Sequence, residues 1–135
     1  MRLLRPHEDV VEGRVRGLAD QILLDGLIRY PILVDSRTLV VLDGHHRLAA
    51  AKLLGLRFIP AILVDYDGDC VSVTSWRDGV TVTKDMVREH GLRGNLMPPK
   101  TSRRRVCFEV PEVRVPLRCY GVEWGSKSCH KGWCW

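Results

Sequence analysis

The sequence predicts a small α/β domain in which helices pack against a small mixed sheet. Three short apolar runs rich in β-branched residues, at residues 32–34, 38–42 and 59–64, indicate strands. Apolar residues recur at helical spacing over residues 13–25, which indicates an amphipathic helix. The chain has 135 residues, of which 45% are hydrophobic and 27% charged, so it is long enough to bury one core.

The first half of the chain is expected to give a strand, a helix and a hairpin. Residues 2–4 are predicted as a short opening strand. The helix follows over residues 13–25, and Gly26 ends it. The runs at 32–34 and 38–42 are predicted as two strands joined by a tight turn. The second of them leads through a glycine turn into an Ala- and Leu-rich helix.

The second half is predicted to contain two strands, a short helix and an irregular segment. The strands are expected at residues 59–64 and 71–76, the latter with the alternation of a half-exposed strand. The helix is expected at residues 84–90, with Gly91 as its end. Residues 92–105 are predicted to be irregular because a glycine and two prolines precede a basic cluster.

The last residues are expected to lie at the edge of the fold. Residues 106–117 are β-rich but interrupted by Pro111 and Pro116, so they belong on an edge strand. The predicted organisation is one domain over residues 1–117 and a peripheral tail over residues 118–135, which contains Cys and Trp.

The composition favours a cytoplasmic protein that binds a phosphate-bearing ligand. The formal net charge is +5, but Lys and Arg are spread along the chain, which suits a phosphorylated small molecule as well as nucleic acid. No apolar run approaches the roughly 20 residues of a membrane helix, and charge comes too early for a signal peptide. One Gln and one Asn in the whole chain indicate a thermophilic source.

The five cysteines are expected to be unpaired thiols, or to form a disulfide within the tail if the source is a hyperthermophile. They show no C-x-x-C spacing, and a zinc site built from the tail residues 129–134 is not favoured, since zinc needs four ligands in recognisable pairs. The cysteines are Cys70, Cys107, Cys119, Cys129 and Cys134.

The strongest candidate site is the sequence Asp43-Gly44-His45-His46-Arg47, between an apolar strand and a helix. A glycine turn at a helix start leaves backbone N–H groups for an anion and adds the positive end of the helix dipole. Arg47 could bind phosphate oxygens in a bidentate manner, His46 could donate a hydrogen bond, and Asp43 could hold Mg²⁺. In the alternative interpretation, Asp43 caps the helix and the two histidines are surface residues.

Glu8 is the second candidate. A carboxylate held in the turn formed by Pro6, His7 and Glu8 could remove the proton of an alcohol as it attacks phosphorus. The alternative for an acidic residue near an N-terminus is an ordinary solvated charge.

The third candidate is the basic segment at residues 99–105, which mixes hydroxyl groups with cations as phosphate clamps do. A solvated basic loop or a nucleic-acid contact is the alternative. Trp76, at the end of its strand, is a candidate for contact with the substrate, with burial in the core as the alternative.

Taken in order, these motifs resemble the archaeal free serine kinases, which share the ParB N-terminal-like and sulfiredoxin-like fold. The resemblance covers about residues 3–117. It rests on Pro-His-Glu near the start, Val-Leu-Asp-Gly-His-His-Arg, an Asp-Tyr pair followed by Val-Thr-Ser-Trp, and a late Pro-Lys-Thr-Ser-Arg.

The resemblance implies an enzyme that phosphorylates free L-serine with ATP or ADP and Mg²⁺, giving O-phospho-L-serine for cysteine biosynthesis. Glu8 would be the catalytic base, Asp43 would position Mg²⁺ or the substrate, and Trp76 would pack beside the amino acid. The implied partners are L-serine and an adenine nucleotide, with no membrane or nucleic acid. The implied phosphate-binding residues are Gly44, His45, His46, Arg47, Lys100, Thr101, Ser102 and Arg103.

The chain departs from the family pattern at two points, and two other functions are alternatives to the kinase. The chain lacks a segment that longer members carry before the late clamp, which leaves the donor open, and Arg104 stands where a histidine is expected. A ParB-like nucleotide- or DNA-binding regulatory module is the alternative, although its motif usually has Glu-Arg in place of His45-His46. A sulfiredoxin-like reductase would need a nucleophilic cysteine where this chain has His45.

Overall fold

The fold is described by a computed structural model, which covers residues 3–75, 79, 81–98 and 102–117. None of the helices in these ranges is long and apolar enough to cross a membrane. In chain order the elements are α1 (Glu12–Asp25), β1 (Leu27–Ile28), β2 (Ile32–Asp35), β3 (Val41–Asp43), α2 (His45–Leu53), β4 (Ala61–Val64), β5 (Val71–Ser75), α3 (Lys84–Arg93), β6 (Ser102–Val106) and β7 (Val115–Pro116).

A three-stranded mixed sheet forms the centre, as the sequence predicts. β2 is its middle strand, antiparallel to β3 and parallel to β4. Leu33 packs with Val87 of α3 on one face, whereas Ile32 and Val34 contact Leu48 of α2 on the other. Because successive strand residues point to opposite faces, a strand covered on both sides needs a continuous apolar run.

α1 packs against α2, and the two helices enclose a further part of the hydrophobic core. The buried positions Val15, Ala19 and Ile22 of its apolar stripe meet Ala50 and Ala51. The predicted boundaries of this helix are confirmed, since it begins at residue 12 and ends at Gly26 in the left-handed conformation, with φ 70°. The two helices lie on the face of the sheet opposite to α3.

The predicted hairpin is confirmed, but its second strand begins later than residue 38. The carboxylate of Asp35 accepts a hydrogen bond from Thr38 Oγ1 at 2.6 Å, and Leu39 has a left-handed φ of 61°. These residues therefore belong to the turn, and the strand starts at Val41. The prediction of a strand at residues 2–4 is wrong for residues 3 and 4, because the pairing is a single parallel bridge from Arg5 to Val40.

Gly91 lies inside α3 rather than at its end, which corrects the sequence prediction. The helix continues to Arg93 and ends at Gly94, with φ 72°. A Cβ at position 91 would lie 2.7 Å from both methyl groups of Val40. Gly91 is thus required by the close approach of α3 to the sheet.

We expect Gly91→Ala to destabilise the protein by about 1–3 kcal/mol through overpacking against Val40. Gly17→Ala in α1 is the matched control, because a Cβ there meets no atom within 4 Å and should stabilise the helix by about 1 kcal/mol. Urea unfolding measures both. In a Val40→Ala background the loss caused by Gly91→Ala should largely disappear, and an unchanged loss would contradict the packing argument.

β5 and β6 form an antiparallel two-stranded ribbon, which the sequence did not predict. The segment expected to be irregular, residues 92–105, contains the rest of α3 and most of β6, including its three consecutive arginines. The register pairs Val71 with Val106 and Ser75 with Ser102. This pairing joins residues far apart in sequence, and no local pattern in an arginine run indicates it.

Cys70 and Cys107 form a disulfide at one end of this ribbon, so the expectation of unpaired thiols is wrong for them. Their Cα atoms are 4.8 Å apart across the strands, within the range a disulfide spans. The cysteines of the tail lie outside the described residues. Of residues 106–117, Val106 ends β6 and only β7 is a further strand. β7 pairs with β1, a strand of two residues that the sequence did not predict.

An ionic network ties α3 to the end of the sheet that lies away from Asp43. Arg88 donates from Nε to the fully buried Asp35 at 3.2 Å and from Nη1 to Asp67 at 2.7 Å, with Tyr66 beneath its guanidinium. The hydrogen bond from Arg88 lowers the pKa of Asp67, and the same bond raises the pKa of Arg88. The network fixes α3 without involving the predicted site.

Candidate active site

The turn at residues 43–47 is built as the sequence predicts. Gly44 is the N-cap of α2 and has φ 93°. A Cβ there would clash with the side chain of Ile32 and lie 3.1 Å from Arg47 Nη2, so both conformation and space require glycine. Gly44 makes no side-chain cap hydrogen bond, so the start of α2 has the glycine geometry for which the sequence predicts an anion site.

Arg47 is held across this turn by two contacts. Its Nη1 donates to the carbonyl oxygen of Pro31 at 3.0 Å, and Nη2 lies 3.5 Å from Asp43 Oδ2. The guanidinium has five N–H groups, so these contacts orient it and leave donor capacity for a ligand. The side chain of Arg47 is 21% exposed and that of Asp43 is 35% exposed, so both border on solvent.

The two histidines bind the N-terminal segment to the start of α2. His45 Nε2 accepts a hydrogen bond from the backbone N–H of His7 at 3.2 Å. His46 Nε2 accepts one from the backbone N–H of Val11 at 3.1 Å. A neutral imidazole that accepts at Nε2 carries its proton on Nδ1, so each ring presents its donor from the other nitrogen. Residues 7–11 therefore run along the 43–47 turn.

His7 is a structural residue of this region that the sequence did not indicate. Its side chain is buried, and Nδ1 donates to the carbonyl oxygen of Val41 at 2.6 Å. Its ring meets that of His45 edge to face, with centroids 4.5 Å apart. His7 thus joins β3, α2 and the N-terminal segment, and its place in Pro-His-Glu was the only signal in the sequence.

Glu8 follows His7 directly and is buried, with 9% exposure. Its segment pairs with the chain after α3: Met97 N–H donates to the His7 carbonyl oxygen at 2.8 Å, and Asp9 N–H donates to the Met97 carbonyl oxygen at 2.6 Å. Glu8 therefore lies in a backbone held from both sides, by the α2 histidines and by Met97. The segment that carries Glu8 thus contacts the histidines of the 43–47 turn.

The remaining predicted site residues are only partly covered. Trp76, Lys100 and Thr101 lie outside the described residues, and Ser102 and Arg103 are described as backbone of β6. Pro98 follows the Met97 bridge to Glu8 and is the last described residue before position 102.

Other features of the described residues do not coincide with the predicted site. An open groove of about 740 Å³ lies between residues 3–6, residues 37–39 and the end of α3, and none of the predicted site residues lines it. Within the described ranges, no group of three or more His, Cys, Asp or Glu side chains could hold a metal ion by itself.

Comparison with known proteins gives relatives among L-serine kinases. An ATP-dependent L-serine kinase of Staphylothermus marinus is 35% identical over 98 residues, covering 67% of this chain and 39% of the relative. A ParB-like protein of Sulfolobus acidocaldarius is 45% identical over 73 residues, covering 54% of this chain and 36% of the relative. The chain thus spans less than two fifths of the length of these relatives. No protein-family model matches it.

The fold has a close counterpart among solved structures. A free serine kinase in complex with AMP superposes with a TM-score of 0.78 over 86% of this chain and 89% of that one, at 17% sequence identity. At this identity the superposition shows a shared fold and confirms the predicted fold class. The sequence and fold comparisons together confirm the resemblance: the chain is a relative of the L-serine kinases and has the free serine kinase fold.

Proposed function

We propose that the chain transfers a phosphoryl group from ATP or ADP to the hydroxyl of free L-serine, giving O-phospho-L-serine. One observation carries the proposal: hydrogen bonds from the N–H groups of two residues in the segment 7–11 to the α2 histidines hold the segment of the buried Glu8 against the start of that helix. An acid next to an anion-binding turn is what an alcohol kinase needs. The names of the relatives support the same reaction.

The phosphates of the nucleotide would lie against the start of α2. The start of α2 after Gly44 and the helix dipole favour an anion there. Arg47 is oriented by its contact with Pro31 and has further guanidinium N–H donors for phosphate oxygens. His46, whose Nε2 accepts the hydrogen bond from Val11 N–H, lies in the same turn. Lys100, Thr101, Ser102 and Arg103 would close over the phosphates from the other side, as the motif resemblance implies.

Glu8 would act as the base. As the serine oxygen bonds to the terminal phosphorus, the bond from that phosphorus to the bridging oxygen breaks, and Glu8 takes the hydroxyl proton. AMP leaves when the donor is ADP, and ADP leaves when the donor is ATP. The protein contributes position and charge more than covalent chemistry, which matches a rigidly held acid beside an electropositive turn.

Magnesium fits this arrangement without a dedicated cage. Mg²⁺ is usually bound by one or two carboxylates together with substrate phosphates, and Asp43 supplies a half-exposed carboxylate at the turn. When bound, the ion would neutralise phosphate charge. Trp76 would pack beside the amino acid, and the product would serve cysteine biosynthesis in the cytoplasm, where both substrates are found.

The test incubates the purified chain with Mg²⁺, L-serine and either ATP or ADP, and measures phosphoserine by mass spectrometry. We expect product with at least one donor and none when serine is omitted. Tight nucleotide binding without phosphoserine from either donor would overturn the kinase assignment and favour a ParB-like regulatory module.

A further inference from the structure

The open groove of about 740 Å³ lies at the end of the sheet away from Asp43. Its walls are residues 3–6, residues 37–39 and the end of α3. β3 begins beside the 37–39 turn and ends at Asp43, so the groove and the candidate active site lie at opposite ends of one strand. The volume falls within the roughly 300–1,000 Å³ of small-molecule sites.

Three hydrogen bonds hold the walls of the groove in place. The buried carboxylate of Asp35 accepts from Thr38 Oγ1 at 2.6 Å and from Arg88 Nε at 3.2 Å, which ties the turn before β3 to α3. The N–H of Arg5 donates to the Leu39 carbonyl oxygen at 2.8 Å, which ties its segment to the same turn. Leu39 has a left-handed φ of 61°, which a non-glycine residue keeps only where its surroundings fix it. The groove is therefore preformed, as ligand sites usually are.

The rim of the groove carries positive charge. It is lined by the exposed residues Arg5, Arg37 and Arg93, and none of the described residues in the lining is acidic. Arg37 lies 3.1 Å from Asp67 and Arg93 lies 3.0 Å from Glu89, so each guanidinium keeps further N–H donors. The guanidinium of Arg5 makes no ion pair with any described residue. Because guanidinium groups bind carboxylates and phosphates in a bidentate manner, the rim favours an anion.

The inside of the groove is apolar. Leu4 and Leu39 line it and are half-buried, whereas Leu92 and Leu96 line it and are exposed. Apolar surface that still contacts water gains free energy when a ligand covers it. Most small-molecule sites combine such a lining with a few polar groups that fix orientation. The groove therefore suits a molecule that joins an apolar body to an anionic group.

We propose that the groove binds a small organic anion, an apolar body that carries a carboxylate or a phosphate group. The body lies on the leucines, and the anionic group binds Arg5 with Arg37 or Arg93 beside it. None of the residues assigned to serine or nucleotide lines the groove, so this second site does not depend on the proposed function.

The experiment titrates the full chain with 1-naphthoate and with 1-naphthyl phosphate, and uses 1-naphthylmethylammonium as a cation with the same apolar body. Calorimetry should give a Kd on the order of 1 mM or tighter for at least one anion, as expected for ligands of this size. The cation should bind at least about tenfold more weakly, because it faces arginine. Backbone amide signals in NMR spectra should shift at residues 3–5, 37–39 and 91–96.

Two variants test the two parts of the site. Arg5→Gln should raise the Kd of the anion about tenfold or more, the usual loss for a hydrogen bond to a charged group. Arg16→Gln removes an exposed arginine of α1 outside the groove and should leave the Kd within about twofold. Leu92→Glu places a carboxylate inside the groove and should abolish measurable binding, whereas Leu24→Glu on the exposed side of α1 should not. Circular dichroism verifies that each variant is folded.

The outcomes decide the proposal independently of the kinase assay. Binding of only one of the two anions would support it and identify the anionic group. Amide shifts confined to residues outside the groove, or an unchanged Kd in both Arg5→Gln and Leu92→Glu, would overturn the site. Equal affinity for the cation, or no saturable binding of either anion below about 10 mM, would also overturn it. Phosphoserine formation is measured separately and is unaffected by any of these results.

Discussion

Glu8→Gln is expected to lower kcat for phosphoserine formation by about 10²–10⁴-fold, the usual contribution of a positioned general base. The carboxamide is nearly isosteric but cannot take the serine proton. The backbone around position 8 is fixed by bonds of His7 and Asp9 that the substitution does not touch. Nucleotide Kd should therefore change by no more than about twofold, since the base acts on the acceptor.

Initial rates at saturating serine and isothermal titration with nucleotide measure the two effects separately. Glu12→Gln is the matched control, because it makes the same chemical change at an acid that is 79% exposed at the start of α1. It should leave kcat within about twofold of the parent chain, as surface changes away from a site usually have small effects. A Glu8→Gln chain that keeps more than a tenth of the parent kcat would remove Glu8 from the role of base.

Gly44→Ala is expected to destabilise the protein by about 3 kcal/mol and to abolish measurable nucleotide binding. Part of the cost comes from a left-handed φ of 93°, and part from the clash of the new methyl group with Ile32. Relieving the clash must move the start of α2 or displace Arg47, and either movement disturbs groups that the proposed function assigns to phosphate binding. Urea unfolding and nucleotide titration measure the two consequences.

Gly94→Ala isolates the conformational part of this cost. Gly94 has a left-handed φ of 72°, but a Cβ there meets no atom within 4 Å. It should cost about 1 kcal/mol and leave nucleotide binding unchanged. If Gly44→Ala were no more damaging than Gly94→Ala, the close packing of the turn against β2 would not be the reason for glycine at position 44.

The parts of the fold that were predicted correctly depend on local signals. Gly26 ends α1 because a left-handed residue completes its last turn, and Gly44 opens α2 because strand, glycine and Ala-rich helix follow one another directly. The apolar run at residues 32–34 indicated the strand β2. In each case the residues that decide the structure are neighbours in sequence.

The parts that were not predicted depend on residues distant in sequence. β6 forms from an arginine run because it pairs with β5. Cys70 and Cys107 form a disulfide because that pairing brings them together. Gly91 was predicted to end α3 because glycine is often found at helix ends. In the structure, the residue is glycine because Val40 packs too closely for a Cβ. No pattern within a few residues carries this information.

The site shows the same division. The 43–47 turn and Glu8 were both candidates from their own local residues, and the motif resemblance added the role of Glu8 as base. The burial of Glu8 emerged only in three dimensions. The sequence analysis assigned the two histidines of α2 to phosphate binding. Their hydrogen bonds to His7 and Val11 add a task that no spacing could reveal.

That task restricts which side chains can replace the two histidines. Each turns an unprotonated nitrogen toward a main-chain N–H, so lysine or arginine, although cationic like many phosphate ligands, would set donor against donor. Asparagine or glutamine has a side-chain oxygen that could still accept the hydrogen bond from the main-chain N–H. In the proposed complex, the attraction for a polyphosphate would then come from Arg47 and the helix N-terminus, and the imidazoles would contribute shape rather than charge.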